Sequence, residues 1–177
     1  MLEIALGAFA NFFITIDPVG VVPFLIALTA RLTPAARRAA ALKSVAIAEV
    51  ILLVFTLIGQ PLLHYLGITL PAFRIAGGVL LFLLAIPLIA GPGAIVSTIL
   101  LQAQNAGDVA AQVLTAAVML GVLAIAALCF FMAQPIMGIL GLTGVNVLSR
   151  VLGIVLAALA IKNIIEGLRA SFPILGA

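Results

Sequence analysis

The chain has 177 residues, 66% of them hydrophobic and 7% charged, with a formal net charge of +3. Its mean hydropathy of +1.48 excludes a water-soluble domain, which must clothe itself in polar side chains. So few charges also exclude a nucleic-acid surface, and long apolar segments without two-residue alternation exclude a β-barrel. The expectation is an all-α, polytopic helical bundle, one membrane domain over residues 1–177.

The opening MLEIALGAFANFF lacks a basic stretch and a small-residue cleavage site, so it reads as the start of the first mature span rather than a signal peptide. Six apolar segments follow in order, at residues 3–30, 44–66, 70–86, 87–104, 109–140 and 146–168. A span needs ~20 apolar residues at ~1.5 Å rise each, so the long first and fifth segments should tilt or break. Pro18, Gly20 and Pro23 in ITIDPVGVVPF predict a break in the first, since proline removes a donor and clashes with the preceding turn. In LTPAARRAA, Thr33 is a helix N-cap with Pro34 at the first position, opening a short interfacial helix before the second span.

Arg31, Arg37, Arg38 and Lys43 cluster in that connection and place it in the cytoplasm. Both termini are then outside an inner (cell) membrane. Arg150 agrees with this orientation, whereas Arg74, Lys162 and Arg169 fall on the outer side. Glu49, Thr56 and Gln60 share one face of the second span. Glu49 reads either as a proton-coupling carboxylate or as an interfacial glutamate reaching headgroups or a loop arginine. His64, at the span's end, reads as interfacial.

The third and fourth segments are short and touch at LLFLLAIPLIAGPG with no polar loop. Pro92, between Gly91 and Gly93, predicts a second break. Cys129 is the single cysteine and lies in an apolar run, so no internal disulfide is available. In the last span Ser149, Gly153, Ala160, Asn163 and Gly167 line one side as a close-packing face. Lys162 and Glu166 lie four apart near its outer end and should snorkel together. Arg74 and Arg150 read as helix-end anchors.

The chain also repeats itself. Pro18 and Pro92, Gln60 and Gln134, Pro61 and Pro135, Gly67 and Gly141, and Thr69 and Thr143 are each 74 positions apart. Arg74 with Arg150 and Gly77 with Gly153 follow after a two-residue slip. Residues 1–86 and 87–177 are thus read as two three-span repeats. An odd number of spans per repeat makes the second enter from the opposite side. Six spans in a 3+3 inverted repeat, with broken first and fourth helices, are the pattern of secondary transporters.

Freed backbone groups in lipid need protein or a water-filled cavity, so the two breaks should meet near the midplane. Helix N-termini there suit a carboxylate, while Asp17 suits an ammonium group or a coupling ion, H+ or Na+. The candidate site residues are Asp17, Gly20, Gly91 and Gly93, with Thr15, Ser97 and Thr98 as weaker members. Asp17 and Glu49 are candidates for coupling, and Pro18, Pro23 and Pro92 are the structural breaks. No enzyme is expected: there is one histidine, no metal-ligand cluster, no nucleophile triad and no Gly-Lys-Ser/Thr after GPG. Neither a cofactor nor a metal is implied.

DPVGVVPF, PAFRIAGGVLLFLLAI, PLIAGPGAI and GVNVLSRVLGIVLAALA together resemble the MarC family of bacterial and archaeal inner-membrane proteins, in order over nearly the whole chain. The resemblance implies a six-span protein related to the LysE-type exporters and transport of small neutral amino acids such as glycine or alanine. The chain departs from the family where FLLAI runs directly into PLIAGPG, a junction at which relatives carry a polar loop of some tens of residues. Two other readings stay open: a scaffold or assembly protein, whose glycines and prolines only permit packing, and a passive channel. Partners are the lipid bilayer and the small substrate, and self-association is open as well.

Overall fold

Helix α1 spans Leu2–Ile16 in the computed structural model, which describes residues 1–83 and 91–172, with Leu142 as backbone only. It stops at Asp17, whose φ of 45° is left-handed and ends the ladder, and Pro18 cannot rejoin it. One turn later α2 resumes as Val22–Leu28, with Pro23 in its first turn, where a missing N–H costs nothing. The first apolar segment is therefore two helices, split where the prolines require.

Thr33 caps α3, Pro34–Tyr65, by accepting from the Ala36 N–H at 3.3 Å. The interfacial helical start expected at Thr33–Pro34 is continuous with the second span. The stretch after Thr33 is alanine-rich and holds no breaker, so one helix runs through it. Pro61 lies inside the last turns of α3. Gly67, at φ 67°, turns the chain, and Thr69 Oγ1 accepts from the Ala72 N–H at 3.3 Å to start α4, Leu70–Leu83. The junction of the third and fourth segments lies outside the described residues.

Helix α5 is Pro92–Gln104 with Gly91 as N-cap, and α6 is Val109–Phe131, capped by Asp108 accepting from Ala111 N–H at 3.0 Å. The long fifth apolar segment, residues 109–140, was expected to tilt or break, and it does break: α6 ends at Phe131 and α7 begins at Ala133. Pro135, which lacks an N–H and presses on the preceding turn, accounts for the division. Helix α7, Ala133–Ser171, is interrupted at Gly141, where φ 63° and ψ 175° are non-helical. Three stretches are long and apolar enough to cross a membrane, by length and composition: Pro34–Tyr65, Val109–Phe131 and Thr143–Ser171. Helices α1 and α4 are apolar but shorter.

Ala8, Phe12 and Ile16 of α1 join Met119, Val122, Leu123 and Ala126 of α6 in the main core. Helices α4 and α7 pack antiparallel with backbones nearly touching. A β-carbon at Gly78 would lie 2.6 Å from the Ala160 carbonyl oxygen, and one at Gly167 would lie 2.8 Å from that of Pro71. In lipid, where apolar burial drives little helix association, such close approach gains dispersion contacts instead. Ala160, Asn163 and Gly167 of the expected packing face are buried, whereas a β-carbon at Gly153 would meet nothing within 4 Å. The close face therefore occupies only the C-terminal part of α7. There Glu166 pairs with Lys162 at 3.7 Å, as the spacing suggests, and with Arg74 across the helix boundary at 3.1 Å. Arg74 is thus an ion-pair partner as well as a helix-end residue.

Large aliphatic side chains such as Leu57, Ile139 and Ile154 face outward, while Thr15, Ser97, Thr98, Gln102, Thr115 and Asn163 are buried. A water-soluble bundle has the opposite distribution, and lipid is the medium that accepts this one.

Candidate functional site

The first break is built around Asp17. Its carboxylate, 7% exposed, accepts the Gly20 N–H through Oδ1 at 3.0 Å. A β-carbon on Gly20 would overlap Asp17 Oδ2, which explains why glycine stands there. The sequence DPVG is therefore a self-closing turn: the aspartate folds back over the residue three further on. This bond occupies the Gly20 donor, so Gly20 has no N–H left for a ligand carboxylate. An ionised carboxylate has room for further donors beyond this one.

Helix α5 starts at the second expected break, and the chain before Gly91 lies outside the described residues. Gly91 is extended (φ −74°, ψ 171°) and makes no side-chain cap, and Pro92 takes the first helical position. The Gly93 and Ala94 N–H groups lie in the first turn, where a helix has no internal acceptors and carries partial positive charge. The start of α5 adjoins the first break. A β-carbon on Gly93 would lie 2.5 Å from Leu81 Cδ2 and 3.9 Å from Thr15 Cβ. Thr15, the penultimate residue of α1, thus stands beside the start of α5.

The remaining hydroxyls divide. Thr15 Oγ1 donates to the Asn11 carbonyl at 2.9 Å, and Thr98 Oγ1 donates to the Ala94 carbonyl at 2.8 Å and lies 3.6 Å from Met119 Sδ. Both satisfy themselves on their own helices. Ser97, one turn beyond Gly93 and only 2% exposed, has a hydroxyl with no partner. Asn11, one turn before Thr15, likewise has a buried Oδ1 with no partner. Sequence reading missed Asn11; its four-residue spacing from Thr15, on one helix face, was the available signal. Glu49 is half-buried on α3, twelve residues before Pro61. No hydrogen bond or ion pair joins it to another described residue.

Two cavities lie at opposite ends of the bundle. One, of about 590 Å³, lies where the end of α3 meets the end of α5, lined by Gln60, His64, Thr69, Ala103 and Ala106 among others. The other, of about 260 Å³, lies where the start of α3 meets the α6–α7 junction, lined by Arg37, Arg38, Phe130 and Gln134 among others. Among the described residues no group of three or more His, Cys, Asp or Glu could hold a metal ion.

Membrane-length apolar helices, an outward aliphatic surface and buried polar side chains define a helical integral membrane protein. Its family follows from comparison with known proteins. The profile described as MarC family integral membrane protein matches residues 2–86 and 82–172, and the chain belongs to that family. A UPF0056 membrane protein of Methanocaldococcus jannaschii is 32% identical over 202 positions, covering 96% of this chain and 98% of the relative. The UPF0056 membrane protein YhcE of Escherichia coli is 30% identical, covering 93% of this chain and 92% of its own. YvbG of Bacillus subtilis, another UPF0056 membrane protein, is 30% identical over 99% of both chains. None of these names states a substrate. In the archaeal alignment 96% of 177 residues is about 170, which leaves about 32 of its 202 positions without a residue of this chain. That excess has the size of the loop that the family resemblance implies. No solved structure matches the chain.

Proposed function

We propose that this protein is a secondary transporter of small neutral amino acids, working by alternating access across the cytoplasmic membrane. The proposal includes six spans in a 3+3 inverted repeat and both termini outside. The observation that carries it is the meeting of the break at Asp17, with its carboxylate, and the uncapped start of α5. A zwitterion with both charges on one carbon matches that pair: its ammonium to Asp17, its carboxylate to the Gly93 and Ala94 N–H groups. Ser97 would add a hydroxyl one turn above.

Two structural facts support the repeat. Gly67 and Gly141, 74 positions apart, both have positive φ, 67° and 63°. Gln60 and Gln134, at the same offset, line cavities at opposite ends. The basic connection before α3 supports the proposed orientation. H+ or Na+ coupling at Asp17, with Glu49 as a second candidate, belongs to the same proposal.

The test is uptake of radiolabelled alanine and glycine by proteoliposomes under imposed proton and sodium gradients, for the wild type and Asp17→Asn. Asparagine keeps an oxygen for the Gly20 N–H and tolerates the left-handed backbone, so the variant should fold. Its melting temperature in detergent should stay within a few degrees of the wild type while uptake falls to background. Normal uptake by Asp17→Asn would remove Asp17 from the site. Gradient-independent flux by the wild type would favour a channel instead.

A further inference from the structure

Among the described residues three buried side-chain nitrogens have no hydrogen-bond partner; one, Arg74 Nε, belongs to the side chain paired with Glu166, and the other two line the two cavities described above. Gln60 Nε2 is one, at the His64 end of α3, and Arg37 Nε is the other, at the start of the same helix. Arg37 spends Nη2 on the Thr29 carbonyl at 3.3 Å and leaves Nε free. A buried donor without an acceptor costs free energy, so a site that keeps one at each end is built for something that brings the acceptor.

The cavities also occupy corresponding places relative to the breaks. Helix α5 starts at Gly91–Gly93 and ends beside the Gln60 cavity, through Ala103 and Ala106. Helix α2 starts just after Gly20, and the turn that follows it leads to Pro34 and Arg37 at the other cavity. Each half-helix thus connects the central break to one end. Between the centre and the Gln60 cavity, α3 and α5 are closed: a β-carbon at Gly59 would lie 2.6 Å from Ile99 Cγ1.

We propose that the two cavities are the outer and inner mouths of one path, and that each receives the carboxylate of the substrate. The Gln60 amide is the donor outside and the Arg37 guanidinium the donor inside. The inference rests on the transport reading and adds to it where a substrate first makes contact. The two mouths are unequal. Arg37 and Arg38 give the inner one two positive charges, and hydrogen bonds from a charged donor are about twice as strong as neutral ones. The outer mouth holds a carboxylate by the Gln60 amide, a neutral donor, and is the weaker. The shared chemistry with a phosphate headgroup makes an anionic lipid the competing occupant.

The experiment compares alanine transport in right-side-out and inside-out vesicles. Gln60→Leu should raise the apparent KM about fivefold at the outer face, the effect of one ordinary hydrogen bond, and leave the inner face unchanged. Arg37→Gln should do the converse, by about tenfold. Equal effects on both faces, or none, overturn the inference while leaving transport itself standing. So does an effect seen with anionic lipids that vanishes in pure phosphatidylcholine.

A second readout needs no transport. Tyr65 is the single tyrosine, the chain has no tryptophan, and His64 beside it lines the Gln60 cavity. Titration with acetate should change Tyr65 fluorescence saturably in the wild type and not in Gln60→Leu. A wild type that carries no alanine yet responds in this way refutes transport and keeps the carboxylate site. A linear response, equal in both proteins, overturns it.

Discussion

The turn at Asp17 can be tested by a double-mutant cycle. Gly20→Ala places a β-carbon on the Asp17 carboxylate, which must swing away and release the 3.0 Å bond from Gly20 N–H. A hydrogen bond to a charged group contributes about 1.5–3 kcal/mol, and Gly20→Ala should lose that much. Asp17→Gly loses the same bond but also removes a non-glycine residue from left-handed backbone, a relief of roughly 1–2 kcal/mol. Its net loss should be at most about 2 kcal/mol. In the Asp17→Gly background the β-carbon at position 20 meets no carboxylate, so Gly20→Ala should add less than about 0.5 kcal/mol. The double variant is then about 2 kcal/mol more stable than the sum of the singles requires. Unfolding in mixed micelles, titrated with dodecyl sulfate and followed by circular dichroism, measures each corner. Additive losses would refute the account of why glycine stands at position 20.

Ser97→Ala removes a buried hydroxyl that has no partner, so stability in the same titration should stay level or rise by up to about 1 kcal/mol. Alanine uptake by this variant should nonetheless fall, by about threefold, if the hydroxyl meets the substrate. Gly78→Val drives a β-carbon to 2.6 Å from the Ala160 carbonyl and should cost about 2–3 kcal/mol by forcing α4 from α7. Gly153→Ala, on the same helix as Ala160 but with nothing within 4 Å, should be neutral to within about 0.5 kcal/mol and serves as the control.

What the sequence revealed and what it concealed separate along physical lines. The break at Asp17–Gly20 and the helix start at Gly91–Gly93 were legible because proline and glycine act on their own backbone, whatever surrounds them. The caps at Thr33 and Asp108 are equally local, although only the first was read. A tilt or break in the fifth segment was legible from its length, but not its place at Phe131, because the apolar run continues past it and Pro135 lies three residues beyond the bend. The candidate site was half legible. Asp17 and Gly93 follow from the breaks. The loss of the Gly20 donor to Asp17, the orphaned Asn11 oxygen and the Arg74–Glu166 pair depend on side-chain direction and helix register. No periodicity in a nearly uniform apolar sequence encodes these. Gly77 and Gly153 matched as letters, yet one packs against Val96 and the other against nothing within 4 Å.

The pairing of α4 with α7 also sets an order of assembly. During synthesis the ribosome finishes α4 long before Glu166 and Gly167 exist. Until then the Gly78 surface of the nascent chain lacks its α7 neighbour and Arg74 lacks its acidic partner. The last helix to leave the translocation machinery is therefore the one that completes the packing of α4. A chain released before residue 167 would have its second membrane-length helix in place and its third helix cut short, leaving a bundle that quality-control proteases can recognise.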